Sequence, residues 1–213
     1  MVINLNNIIN YPNGKKVNKV NVINGHHNIN KSQLGMDFEK MINNSNSYYL
    51  SNNIACIYKK PTPIQIVKVE YPSRNKAKIT EAYFKIPSTT DYNGIYKGLY
   101  IDFEAKSCRG NNFPFSNLHV HQINHLETVH NMGGISFLLI EYVLYNKIFL
   151  LPTTKLLELY FESLNGGRKS ISYQYMKENA YEINYTYNPQ IDYLKALDIY
   201  LQEMKKKELQ NTL

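Results

Sequence analysis

Cysteine is nearly absent from this chain: Cys56 and Cys108 are the only two in 213 residues. Two thiols are too few for a disulfide framework or a zinc site, and a reduced cytoplasmic interior is the simplest home for such a chain. A long apolar run is also missing. The most apolar stretch, 135–151, is interrupted by Glu141, Asn146 and Lys147, so nothing approaches a membrane span. Met1-Val2-Ile3-Asn4 opens no signal peptide. Acidic side chains are in the minority, with 17 Asp and Glu against 24 Lys and Arg and a net charge of +7. That balance suits a polyanionic partner. The length suits one domain with a sizeable core, or one domain with an appendage.

What is present divides into three parts. Residues 1–33 are dominated by Asn, with Lys and isolated Ile or Val, and such a composition buries little apolar surface. They are expected to form a disordered N-terminal arm. Its His26 and His27 have no further His or Cys at ligand spacing, so they read as solvent-exposed histidines and not as a metal site. Residues 202–213 form a Lys-rich, helix-prone C-terminal tail that reads as an exposed helix end. Residues 34–201 read as a single α/β domain. Met36, Phe38, Met41, Ile42, Tyr48 and Leu50 recur at helical spacing and predict an opening helix over 36–50. Strands are expected at 54–58, 64–70, 82–86, 99–105, 135–145 and 149–151. Pro152, Thr153 and Thr154 then open a helix over 155–163. Helices at 122–131 and 191–204 would cover a mixed sheet.

The chemistry concentrates in residues 88–106. Asp91 precedes Asn93-Gly94, where a turn would fold the chain back into a hairpin. The following strand carries Asp102, Glu104 and Lys106 at two-residue spacing, which places all three on one face and Ile101, Phe103 and Ala105 on the other. Converging carboxylates suit a hard divalent cation, and a neighbouring ammonium stabilises charge developing on a phosphate. Alternating charge in a strand more often marks a solvated face, so Asp-x-Glu-x-Lys is weak by itself. Asp91, set among small hydroxyl residues, and the basic composition of the chain strengthen it.

The order of acid, turn and Glu-x-Lys resembles the PD-(D/E)xK nuclease core, and more narrowly the RecU family of Holliday junction resolvases. Matching stretches include Asn43-Asn44-Ser45-Asn46-Ser47-Tyr48-Tyr49-Leu50, Lys59-Lys60-Pro61-Thr62-Pro63, Glu81-Ala82-Tyr83-Phe84-Lys85 and Tyr100-Ile101-Asp102-Phe103-Glu104-Ala105-Lys106. His121-Gln122-Ile123, Gly167-Arg168-Lys169-Ser170-Ile171 and Ile191-Asp192-Tyr193 follow in order. The resemblance implies a mixed sheet flanked by helices, a restriction-endonuclease-like core with a projecting β-hairpin stalk. It implies metal ligands at Thr89, Asp91, Glu104 and Gln122, with magnesium as the cofactor and manganese as its substitute. Thr89 and Asp91 share strand parity, so both would face the ion. Lys106 would stabilise the transition state, and Asp102 would lie near the site without ligating.

The implied stalk falls at about 64–85. Lys68, Arg74, Lys76, Lys78 and Lys85 are interleaved there with Tyr71, Tyr83 and Phe84, against only Glu70 and Glu81. Cations neutralise phosphates and rings stack on unpaired bases, so Lys68, Arg74, Lys76, Lys78, Tyr83, Phe84 and Lys85 are the candidate DNA contacts. A junction with approximate two-fold symmetry needs two symmetric cuts, which argues for a homodimer. By the same resemblance the partners are four-way DNA junctions, a recombinase and a branch-migration helicase, in the nucleoid. One departure is Leu34, where the family has an Arg, with Lys31 as the nearby substitute. The expected function is a metal-dependent endonuclease resolving Holliday junctions in recombination and repair. A restriction-like nuclease with another DNA substrate and a non-catalytic junction binder are the alternatives.

Overall fold

The computed structural model describes residues 31–85 and 89–211, with side chains described for 37–85 and 89–210. Residues 1–30 of the Asn-rich arm, with His26 and His27, fall outside the described residues, as do the side chains of Lys31 and Leu34; residues 31–33, expected in the arm, are helical backbone at the start of α1. The described chain opens with α1 (Lys31–Ser51) and β1 (Ala55–Lys59), and then forms a hairpin of β2 (Ile64–Ser73) and β3 (Lys76–Phe84). Next come β4 (Tyr92–Tyr96), β5 (Leu99–Cys108), β6 (Asn112–Pro114) and α2 (Val120–Asn131). The second half runs through β7 (Ile135–Tyr142), β8 (Lys147–Pro152), α3 (Thr153–Leu164), β9 (Ser170–Ser172), α4 (Tyr173–Asn179), β10 (Tyr181–Ile183) and α5 (Tyr193–Asn211).

Six strands make one mixed sheet in the order β1-β4-β5-β7-β8-β10. Its β5–β7 pair is parallel and joined by a crossover through α2, while the other pairs are antiparallel. Side-chain alternation divides the apolar residues between two layers. Phe103, Phe137 and Leu139 face Phe38, Ile42, Tyr193 and Leu197 from α1 and α5. Leu138, Ile140 and Leu151 face Leu126, Leu156 and Met176 on the other side. Both faces of β7 and β8 are therefore covered, which explains why this region reads as an unbroken apolar run. Tyr92, Phe103 and Phe137 stack across three neighbouring strands, with ring centroids 4.8 and 4.9 Å apart. That column fixes the register of β5 between Asp102 and Glu104.

The expected turn at Asn93-Gly94 is overturned: both residues lie inside β4. Gly94 is a close-approach glycine, because a Cβ there would sit 2.1 Å from the Cys56 carbonyl oxygen on β1. The chain reverses at Lys97-Gly98 instead, where φ is +49° and +77°, the left-handed pair a tight two-residue hairpin demands. Thr89 and Asp91 lie in a bend ahead of β4, so strand parity does not govern them. The strand expected over 135–145 ends at Tyr142, and the chain turns through a 3₁₀ segment closed by Asn146 at φ +50°. The last helix runs through Asn211 and takes in most of the Lys-rich tail.

Residues 64–85 form the expected hairpin, a two-stranded sheet of its own with Arg74-Asn75 at its tip. Every residue of β2 and β3 is exposed except Val69. Pro72 is accommodated where the register shifts between Glu70 and Ser73.

Candidate active site

Strand register assembles the site. Tyr92 pairs with Phe103, which brings Asp91 beside Glu104. The Asp91 backbone N–H donates to Glu104 Oε2 at 3.1 Å. Lys106, two residues along β5, places Nζ 2.7 Å from Glu104 Oε1. Gln122, in the first turn of α2, donates Nε2–H to the same oxygen at 2.5 Å, while its Oε1 accepts the His119 backbone N–H at 3.0 Å. Glu104 is completely buried. Burial pushes its carboxyl up to about 8; the Lys106 ammonium pulls against that shift and the Asp91 charge adds to it.

A cleft of about 550 Å³ opens over this group, lined by Lys60, Thr89, Asp91, Lys106, His121 and Gln122 among others. Of the four residues put forward as metal ligands, Asp91, Glu104 and Gln122 are joined by hydrogen bonds with Lys106 beside them, and Thr89 shares the cleft lining with Asp91 and Gln122. Among the described residues no cluster of three or more His, Cys, Asp or Glu side chains has metal-ligand spacing. The residue types are two carboxylates with a hydroxyl and an amide, whose oxygens have the hard chemistry of magnesium or manganese and not that of zinc, although the Gln122 amide oxygen here accepts from the His119 backbone and its nitrogen faces Glu104. A buried carboxyl held near neutral pKa, with a second carboxylate beside it, is a place that gains from a divalent cation. The residues fit the ion.

Asp102 lies near the site in a cage of its own. Fully buried, it accepts from Lys60 Nζ at 2.7 Å, from Tyr100 OH at 2.8 Å and from the Thr90 hydroxyl, with His125 Nε2 at 3.2 Å. The strand face carrying Asp102 and Glu104 is therefore covered by α2 and is not a solvated face. Lys60, Thr90 and His125 were not legible as site residues. The available signal was His121, Gln122 and His125 falling within one helical turn. His121 Nε2 is buried without a hydrogen-bond partner among the described residues, its ring stacks on His119 at 5.3 Å, and burial followed by the His119 and Lys106 charges lowers its pKa.

The candidate DNA contacts group separately. Lys68, Arg74, Lys76, Lys78, Tyr83 and Phe84 are all exposed on the hairpin, Phe84 being 83% exposed. Lys68 lies 3.7 Å from Glu70, and Tyr83 OH donates to Glu81. Lys85 closes the hairpin base through its backbone N–H to the Pro63 carbonyl at 3.0 Å. The hairpin springs from residues 59–63, which line the cleft.

Residues 33–199 match the family model for RecU, described as Recombination protein U. The chain is 48% identical over 197 residues to the Holliday junction resolvase RecU of Bacillus cytotoxicus, covering 90% of this chain and 97% of that one. It is 54% identical over 165 residues to the protein of the same name from Pediococcus pentosaceus, covering 77% and 82%. Among solved structures, Hjc of Archaeoglobus fulgidus, a Holliday junction resolvase, aligns at 12% identity over 68% of this chain and 93% of that one. Its TM-score of 0.40 is too low to bear on the fold. The family match spans the sheet, the hairpin and every residue of the cleft, and on that ground this chain belongs to the RecU family.

Proposed function

We propose that this chain is a magnesium-dependent endonuclease that resolves four-way DNA junctions by paired strand cuts during homologous recombination and repair. The observation that carries the reading is Glu104: a buried carboxyl bonded to Asp91, Lys106 and Gln122, three residues that line an open cleft, in a chain of the RecU family.

Asp91 and Glu104 would hold the ion through carboxylate oxygens, with Thr89 and Gln122 supplying neutral oxygens. For Gln122 this requires its amide to present Oε1 in place of Nε2 to the cleft. When bound, magnesium or manganese activates a water at neutral pH and offsets charge on the leaving oxygen. Lys106 exchanges its contact with Glu104 for a non-bridging phosphate oxygen and donates to it as charge develops. The attacking water would give its proton to bulk solvent as its oxygen bonds to phosphorus, the opposite P–O bond would break, and the leaving oxygen would take up a proton from solvent, so that one water is consumed and no net proton is left over.

The hairpin supplies cations for phosphate contacts and the Tyr83 and Phe84 rings for stacking where a junction exposes bases. One active site per chain and two cuts per junction call for a homodimer. A recombinase and a branch-migration helicase are the protein partners of this reading, and the nucleoid its place of action. No helix among the described residues is long and apolar enough to cross a membrane.

The test is cleavage of a mobile four-way junction beside a linear duplex of the same sequence, each with and without magnesium. Cutting of the junction alone, and only with the ion, supports the reading. Equal cutting of both substrates makes the protein a nuclease of another specificity. Binding without cutting under all conditions makes it a junction binder.

A further inference from the structure

The segment Gly167-Arg168-Lys169-Ser170-Ile171 carries two adjacent exposed cations that the cleft and the hairpin leave unused. Among the described residues neither Arg168 nor Lys169 has a carboxylate within ion-pairing distance. Their mount is rigid. β9 pairs with β6 through Ser170–Pro114 and Ile171–Phe113, and the Phe115 N–H donates to the Lys169 carbonyl at 3.1 Å. Tyr142 OH at the end of β7 donates to the Ile171 carbonyl at 2.8 Å. On the other side the loop closes tightly against α3: the Gly167 N–H donates to the Glu162 carbonyl at 2.9 Å, and a Cβ on Gly167 would meet that oxygen at 2.7 Å. Two long cationic side chains on so stiff a support lose little further backbone freedom when they bind.

Their placement is equally specific. Lys59 at the end of β1, Asp91 ahead of β4, and Glu104 and Lys106 late in β5 all fall at one end of the sheet, because Lys59 pairs with Tyr92 and Tyr92 with Phe103. The hairpin leaves from the β1 side of that end. The β6–β9 pair leaves from the C-terminal end of β5 and is pinned to β7, the neighbour on the opposite side. From Phe115 the chain runs through the 3₁₀ segment Phe115–Asn117 to His119 on the cleft wall. The sheet end that carries Asp91 and Glu104 therefore has the hairpin on its β1 side and the β6–β9 pair on its β7 side.

We propose that Arg168 and Lys169 bind the phosphate backbone of the duplex arm leaving the cleft on the side away from the hairpin. The inference rests on the nuclease reading above. Duplex DNA presents about one charge per 1.7 Å of axis, so an arm passing this loop offers phosphates to both side chains whatever its sequence. The hairpin acts where four arms meet; this loop acts on one arm and holds junction and linear duplex alike.

The experiment uses the full chain without divalent cation, comparing wild type, the double variant Arg168→Ala/Lys169→Ala and the charge-preserving Arg168→Lys/Lys169→Arg. Affinity for a four-way junction and for a linear duplex is followed across salt concentration. The expected result is that the alanine pair weakens both complexes and flattens the slope of log affinity against log salt by about two units for both, with the junction preference unchanged. The charge-preserving pair restores the slope, which a folding defect at the loop would not predict. A wild type that binds DNA, with an alanine pair of the same affinity and slope, overturns this inference and leaves the nuclease reading standing. A wild type that binds neither DNA overturns both.

Discussion

Lys60 is tied to the cleft end of the sheet twice: its Nζ lies 2.7 Å from Asp102 Oδ2, and its backbone N–H donates to the Asp91 carbonyl at 2.7 Å. Lys60 is the first residue after β1 on the way to the hairpin, so one residue joins the hairpin root to both the acid at the cleft and the acid behind it. Lys60→Met leaves the Asp102 carboxylate buried without its cation. Removing one partner from a buried pair costs about 3 kcal/mol, the low end because Lys60 retains some exposure. Asp102→Asn should cost less, since the amide keeps an acceptor for Tyr100 and Lys60 can turn to water. Urea unfolding of the two variants checks the order; a larger loss for Asp102→Asn contradicts the clasp.

Glu104 predicts a pH dependence. Its carboxyl is pushed up to about 8 in the folded chain, above the ordinary 4.5. Between those values the folded state holds a proton that the unfolded state has lost, so stability is present below the ordinary value and is lost as pH rises toward 8. In metal-free protein, Tm should fall across that window, and Glu104→Gln should remove this component of the fall. Magnesium should raise Tm most at the alkaline end, because the cation competes with that proton, and should release a proton when added near pH 7. Identical pH profiles for the metal-free wild type and Glu104→Gln would show that Glu104 is an ordinary carboxylate.

Lys106→Ala should slow cutting by about 10²–10³, the usual value of a well-placed oxyanion donor. Its charge also holds the Glu104 carboxyl down, so the variant's carboxyl titrates higher than the wild type's, and metal affinity is compared across a pH series with each protein read at its alkaline plateau. There the affinity should stay near wild type. If the ion-binding loss accounts for the lost rate, Lys106 serves the carboxylates and not the phosphate.

The hairpin should be separable from the fold. Both of its strands are exposed and contribute no buried residue to either core layer. Replacing residues 64–85 by a tight turn should leave Tm and metal binding intact and remove the preference for a four-way junction over a linear duplex. Tyr83→Ala with Phe84→Ala should lower that preference while keeping the salt slope, because no cation is lost. A folded, shortened chain with the wild-type preference would move recognition elsewhere.

Much of this was legible in the residues. Asp102, Glu104 and Lys106 share a strand face as their spacing requires, and the alternation of basic and aromatic residues in 64–85 corresponds to an exposed hairpin. The misplaced turn shows the limit of local rules. Asn-Gly is a strong turn signal, but Gly94 is required by the approach of β1, whose paired residue Ile57 is 37 residues away in sequence and invisible to a local window. Lys97, with no turn signature of its own, takes the left-handed conformation because the register of β4 on β5 demands it there. The three-residue strands β6, β9 and β10 carry too few residues for any periodicity to show. The Asp102 cage was hidden because Lys60, Thr90 and His125 meet only through tertiary packing.

The central claim is that the Asp91–Glu104 centre cuts DNA and does not serve to bind it. It is tested most directly by measuring junction binding and junction cleavage on the same preparations of wild type, Asp91→Asn and Glu104→Gln in the presence of magnesium. Both variants should hold the junction about as tightly as wild type, since the phosphate-binding cations lie outside the Asp91–Glu104 centre, and cutting should be lost. A variant that cuts at the wild-type rate, or one that fails to cut only because it no longer binds the junction, would contradict the account.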